Sequence, residues 1–169
     1  MLRGLAQLLT MTEKPSYLKL LNGISCAETR AYQYLSAWAS VTTDPDVQAV
    51  LRTVVAREGE HGMAFAKRIN ELGFELQVTD DPKFDERMEI ACSDRSDLEK
   101  AELLGVLEYA TPPDTPDIFD KFFRDHTIDI QTGALLGRYI AEERDTLRLL
   151  QGCRVQLEAK ACAALEPSA

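Results

Sequence analysis

No two cysteines of this chain form a CxxC pair, and none lies with histidine at zinc-ligand spacing. Cys26, Cys92, Cys153 and Cys162 therefore read as reduced packing residues. Basic charge is scarce: 19 Lys and Arg against 28 Asp and Glu leave a net −9, which argues against nonspecific binding to nucleic acid or anionic membrane. No stretch approaches roughly eighteen uncharged apolar residues, the length a membrane span needs. The opening MLRGLAQLLTMTEKP is too short and too interrupted for a signal peptide, so the expected location is cytoplasmic. No segment sustains period-two alternation, which removes a β architecture. What is present is ordinary globular material: 169 residues, 45% hydrophobic and 28% charged, sufficient for one domain with its own core.

Apolar side chains recur at helical spacing from Ser16 to Val41, through Leu18, Leu21, Tyr32, Leu35 and Trp38, and predict a first helix. Asp44 reads as an N-cap with Pro45 at the first helical position, where its missing N–H is harmless. A second helix runs through Val47, Leu51, Val54, Phe65, Ile69 and Leu72 to a stop at Gly73. The connection is so short that these two helices must form an antiparallel hairpin. FELQVTDDPKF reads as an extended crossover. A third helix covers at least Ser96 to Ala110, with a start as early as Phe84 left open. TPPDTP ends it, and Thr115 with Pro116 opens a fourth helix from Asp117 to about Leu150, with a break at Gly152. The expected fold is all-α: two antiparallel hairpins joined by a crossover. A single domain spans 1–169, with the bundle over about 16–150 and a helical tail over 151–169.

The stretch REGEHGMAF, residues 57–65, sets Glu58 and His61 three apart on the face that also carries Val54, Phe65 and Leu72. Both groups point inward. Glu28 shares a face with Leu21, Tyr32 and Leu35, and pairing about a turn at Thr43, midway between 28 and 58, brings it level with Glu58. Carboxylates around one imidazole suit iron or manganese, and burying them without a cation or partner costs about several kcal/mol. A shift of 71 positions further aligns Glu28 with Glu99, Pro45 with Pro116, Glu58 with Asp129 and His61 with Thr132.

CAETRAYQYLSAWA followed by AREGEHGMAFAKRINELG resembles the first hairpin of the ferritin-like superfamily, particularly its rubrerythrin-like members, in a layout covering roughly residues 16–150. The resemblance implies a four-helix bundle in which each hairpin gives a lone glutamate and a Glu-x-x-His. Together these hold two carboxylate-bridged irons that react with dioxygen or peroxide, or oxidise Fe(II). Glu28, Glu58 and His61 match the first half. In the second half the shifted positions read Glu99, Asp129 and Thr132, and a rival register, Glu143 to Thr146 in IAEERDTLRLL, also has threonine where histidine belongs. A single metal is therefore an alternative to two. Without a rubredoxin-type CxxC pair, any redox cycle needs an external electron donor.

Plainer readings stand beside these. Glu58 and His61 could bond each other, Arg30 or Arg57. Glu99 fits a capping box with Ser96, which would make Glu102 the alternative carboxylate. Asp129 could pair with Arg124. Tyr32 is either second to a ligand or bundle packing, His126 a surface or capping residue, and Cys26 has no role. The expected site is thus Glu28, Glu58 and His61 with Glu99 and Asp129, holding iron or manganese. The alternatives are a metal-free bundle acting as a binding or assembly module, and a small-molecule pocket near Gly105, Gly133 and Gly137. A homodimer through IFDKFF or the C-terminal tail is expected.

Overall fold

A computed structural model describes residues 14–105 and 124–165. The described residues are all-α, with no strand: α1 Leu18–Val41, α2 Pro45–Glu71, α3 Phe84–Cys92, α4 Asp97–Leu103 and α5 Ile130–Leu165. Helices α1 and α2 form the expected antiparallel hairpin: Gln48 Nε2 donates to Ala39 O near the turn, and far from it Ser25 Oγ donates to Gly62 O at 2.8 Å. The Asp44 carboxylate caps α2 by accepting from the Asp46 and Val47 amides, with Pro45 in the first turn. At the other end Gly73, with φ of 85°, lets the Phe74 amide reach back to Ile69 O and its own amide to Asn70 O, a Schellman stop.

The crossover is fastened to α1 by a reciprocal pair. Asn22 Nδ2 donates to Gln77 O at 2.6 Å, and the Gln77 amide donates to Asn22 Oδ1 at 2.7 Å. The expected third helix is two helices. Ser93 Oγ bonds back to Ile90 O at the end of α3, and Ser96 with Glu99 forms a complete capping box that starts α4 afresh. Asp97 then accepts from Trp38 Nε1 and Thr42 Oγ1, each at 2.6 Å, tying α4 to the hairpin turn.

Helix α5 departs from expectation at both ends. It starts at Ile130, where Asp129 Oδ1 accepts from the Gln131 and Thr132 amides. It also passes through Gly152 without a break and continues to Leu165, the last described residue, because one interior glycine costs only about 1 kcal/mol. Leu157 lies on the core, and Lys160 Nζ reaches Asp44 Oδ2 at 2.6 Å. Thr115, Pro116, the proposed start at Asp117 and the IFDKFF segment lie outside the described residues.

Two apolar clusters build the interior. Trp38, Leu51, Val54, Ile90, Leu104 and Leu150 gather toward the α1–α2 turn. Leu21, Ile24, Phe65, Ile69, Leu136 and Ile140 gather at the opposite end. Between the clusters each of α1, α2 and α5 carries inward polar side chains, Glu28, Glu58 with His61, and Glu143 with Thr146, and these make up the candidate site. No helix among the described residues is long and apolar enough to cross a membrane.

Candidate metal centre

Close approach of the hairpin helices sets the layer's width. A Cβ on Gly62 would lie 2.6 Å from Thr29 Oγ1 and 3.2 Å from the Thr29 amide nitrogen, so only glycine fits without displacement. One turn earlier, a Cβ on Gly59 would meet the Tyr32 ring at 2.9 Å. These glycines flank Glu58 and His61 and bring both against Glu28, all three buried.

His61 is fixed from α5. Its Nε2 lies 2.7 Å from Glu142 Oε2, and since a carboxylate only accepts, Nε2 carries the proton. Glu142 is itself held by Arg138 Nε at 3.0 Å. Burial pushes the Glu142 carboxyl up, but the bonds from His61 and Arg138 outweigh it and leave the group below the usual range. The other imidazole nitrogen, Nδ1, faces Glu143 Oε1 at 3.2 Å and Glu28 Oε2 at 4.0 Å. These contacts are not aligned as hydrogen bonds. Glu28 Oε2, His61 Nδ1 and Glu143 Oε1 are all buried without a hydrogen-bond partner, and ligand atoms of the three residues lie within 4.8 Å of one another.

Glu28, Glu58 and Glu143 share one layer and repel each other. Burial, with Glu28 beside it, pushes Glu58 up to about 11, so without a cation it is a neutral acid at pH 7, placed to share its proton with Glu28. Burial also raises Glu28, against the bond from Glu58. Tyr139, raised by burial and then by the Glu28 charge, stays protonated and donates to Glu28 Oε1 at 2.8 Å. Its ring meets His61 and Phe65 edge-on at 5.0 and 5.2 Å. For His61, burial works to lower the value, but the carboxylates of Glu143, Glu142 and Glu28 leave it raised. Arg57 adds a fixed positive charge beside the layer, donating to Asp145 Oδ2 at 2.7 Å and to Thr146 Oγ1 at 3.2 Å.

Of the residues expected from sequence, Glu28 and His61 come together with Glu143, the rival register on α5, while Glu58 lies against Glu28 outside that three-residue group. Glu99 does not join it: its carboxylate accepts from the Ser96 amide and hydroxyl in the exposed capping box. Glu102 is exposed. Asp129 does not join it either, because it sits at the start of α5, bonded by Arg68 Nη2 at 2.9 Å, Tyr17 OH at 2.6 Å and Thr132 Oγ1 at 2.6 Å. Its ion-pair partner is Arg68, not Arg124. The 71-residue shift is thus no spatial repeat, since it matches the middle of α2 with the first turn of α5.

Tyr32 is 44% exposed against Gly59, and Tyr139 takes the place next to Glu28. His126 is exposed. Tyr139 and Glu142 were not singled out from sequence, although both lie one turn or less from Glu143 in YIAEERDT, a polar interruption between Leu136 and Leu150. Comparison with protein-family models, with curated proteins and with solved structures finds no match.

Proposed function

We propose that the chain is a ferritin-like helical bundle that binds one divalent iron or manganese ion between Glu28, His61 and Glu143. A single observation carries the reading: three buried ligand atoms, Glu28 Oε2, His61 Nδ1 and Glu143 Oε1, converge with no hydrogen-bond partner. Unpaired buried carboxylate and imidazole atoms cost several kcal/mol unless something compensates them. The donor set fits a borderline-hard cation. Ligands about 2.1 Å from a metal span at most about 4.2 Å across it. The 3.2 and 4.0 Å separations at His61 lie inside that span, and rotation of a carboxylate brings in the widest pair.

Bound iron would supply electron-transfer chemistry with dioxygen or peroxide, including oxidation of Fe(II) as a substrate. The chain's residues do the rest. Glu142 holds the Nε2 proton and so keeps the Nδ1 lone pair free, the carboxylate–histidine arrangement that raises ligand basicity. Tyr139 orients Glu28 through Oε1 and leaves Oε2 free. Glu58 holds or releases a proton beside Glu28. Arg57, bonded to Thr146, puts a permanent cation in that part of the layer, which supports one metal over two. An external electron donor, a cytoplasmic location and a homodimer complete the proposal.

A second reading has its own observation. His61, raised by its carboxylate neighbours, could be the imidazolium that balances Glu143 and Glu142 in a metal-free bundle acting as a binding or assembly module. Elemental analysis of protein purified without chelator or affinity metal, beside His61→Ala and Glu143→Gln, separates the two. Near-stoichiometric iron or manganese, lost in both variants, supports the metal centre. No retained metal after anaerobic addition of Fe(II) or Mn(II) overturns it.

A further inference from the structure

A cavity of about 330 Å³ opens against the carboxylate layer, bounded by α1, α2 and α5, with Asp81 and Arg87 in one wall. That volume is at the small end of ligand sites, roughly 300–1,000 Å³. Leu35, Val54, Leu104, Leu147 and Leu150 give it an apolar side, and Glu28, Glu58 and Glu143 also line it.

Among the described residues, the other charged groups on its walls each lie against a protein group of the site or an ion-pair partner, and Arg30 does not. Arg87 Nη1 holds Asp81 Oδ2 at 2.8 Å. Glu58 lies against Glu28, Tyr139 donates to Glu28, and the His61 ring faces Glu143. Arg30 is the exception: half-buried and lining the cavity, it makes no hydrogen bond or ion pair with any described residue. A chain with 28 acidic residues does not lack potential partners for a guanidinium. An unpaired one beside a leucine wall presents a planar fork of donors matched to a carboxylate.

We propose that this cavity binds a small organic acid, its carboxylate held by Arg30 and its apolar body lying along the leucine wall toward Glu28, Glu58 and Glu143. The acid's role as a substrate rests on the proposed metal centre; its binding does not. An amine is the rival that three glutamates would select, but the unpartnered oxygens of Glu28 and Glu143 converge on His61 Nδ1, whereas Arg30 has no charged group bonded to it among the described residues.

The test is isothermal titration of the full chain, metal-stripped and Mn(II)-loaded, with hexanoate, octanoate and 3-phenylpropanoate against octan-1-ol and octylamine. At least one acid should bind both forms about tenfold or more tighter than the alcohol. Arg30→Gln, which removes no hydrogen bond or ion pair among the described residues and should fold, should lose that advantage while leaving the alcohol unaffected. Three results overturn the proposal: no acid binds, octylamine binds best, or acids bind only the Mn(II) form and ignore Arg30→Gln. Acid binding through Arg30 in a chain that takes up no metal would remove the metal centre and keep the pocket. Metal uptake without acid binding would do the reverse.

Discussion

His61 Nε2 donates to Glu142 Oε2 across 2.7 Å, and this contact between α2 and α5 decides which imidazole nitrogen faces Glu28 and Glu143. Glu142→Gln keeps the shape but weakens the pull on the Nε2 proton, and its amide NH2 can favour the opposite tautomer. At the proposed metal centre affinity should fall about 10–100-fold, the usual cost of losing such a partner. Competition with a chromophoric chelator measures it, and an unchanged affinity would show that Glu142 is only a surface contact of His61.

Glu58 makes the metal-free protein depend on pH in a direction that can be worked out. Its value is raised from 4.5 to about 11, so across that window the folded chain binds a proton that the unfolded chain releases. Stability is then greatest below pH 4.5 on this account and falls as pH rises toward 11, with Glu28, also raised, acting in the same sense. Glu58→Gln, an isostere of the neutral acid, should flatten that slope. It should also raise the metal-free Tm at pH 7, by about 2–4 °C for each kcal/mol of strain removed. Thermal melts from pH 5 to 9 give the answer, and parallel slopes in the two proteins would contradict it.

Gly62→Ala should destabilise the hairpin by roughly 1–3 kcal/mol, the range for forcing a methyl into a filled interface. Thr29 cannot simply swing away, because its Oγ1 is bonded to Ser25 O at 2.7 Å and its backbone nitrogen is also within 3.2 Å of the new carbon. Urea midpoints at fixed m-value report the loss. Widening the hairpin also draws Glu28 away from His61, so metal affinity should fall with stability.

Asp129 acts on the acid side. Burial works to raise it, but bonds from Thr132, Tyr17, the Thr132 amide and Arg68 hold it far below its ordinary 3.8. A depressed carboxyl stabilises the fold above its unfolded value, and that stability is lost as pH falls through the folded one. Asp129→Asn should therefore be less stable than the parent at pH 7, and the gap should narrow below about pH 4. Asp129→Ala should cost about 1 kcal/mol more by removing the cap of α5. Denaturation at pH 7 and pH 3 checks both.

The hairpin and its half of the candidate site were legible because they are local. Period, cap and stop are written in order from Leu18 to Gly73, and symmetry about Thr43 puts Glu28 opposite Glu58 without knowledge of any other helix. Helix α5 was not legible in the same way. Its register depends on pairings such as Arg68 with Asp129 and Arg57 with Asp145, 61 and 88 residues apart, which no local pattern encodes. Both Tyr32 and Tyr139 lie one turn from a site carboxylate, and what separates them is the flat face that Gly59 offers to Tyr32. The capping box at Ser96 was visible, and it competes for Glu99 more strongly than the distant bundle centre does.

The polar layer between two apolar clusters also bears on how the chain assembles. The hairpin can form from neighbouring sequence and already confines Glu28, Glu58 and His61. Docking α5 then drives Glu142 and Glu143 into a region holding two acids, while hydrophobic contacts pull from both ends. Those contacts close fully only once the repulsion in the middle has been neutralised by a proton or a cation. If α5 docks onto a preformed hairpin, the rate at which it seals should follow the supply of positive charge to this one layer.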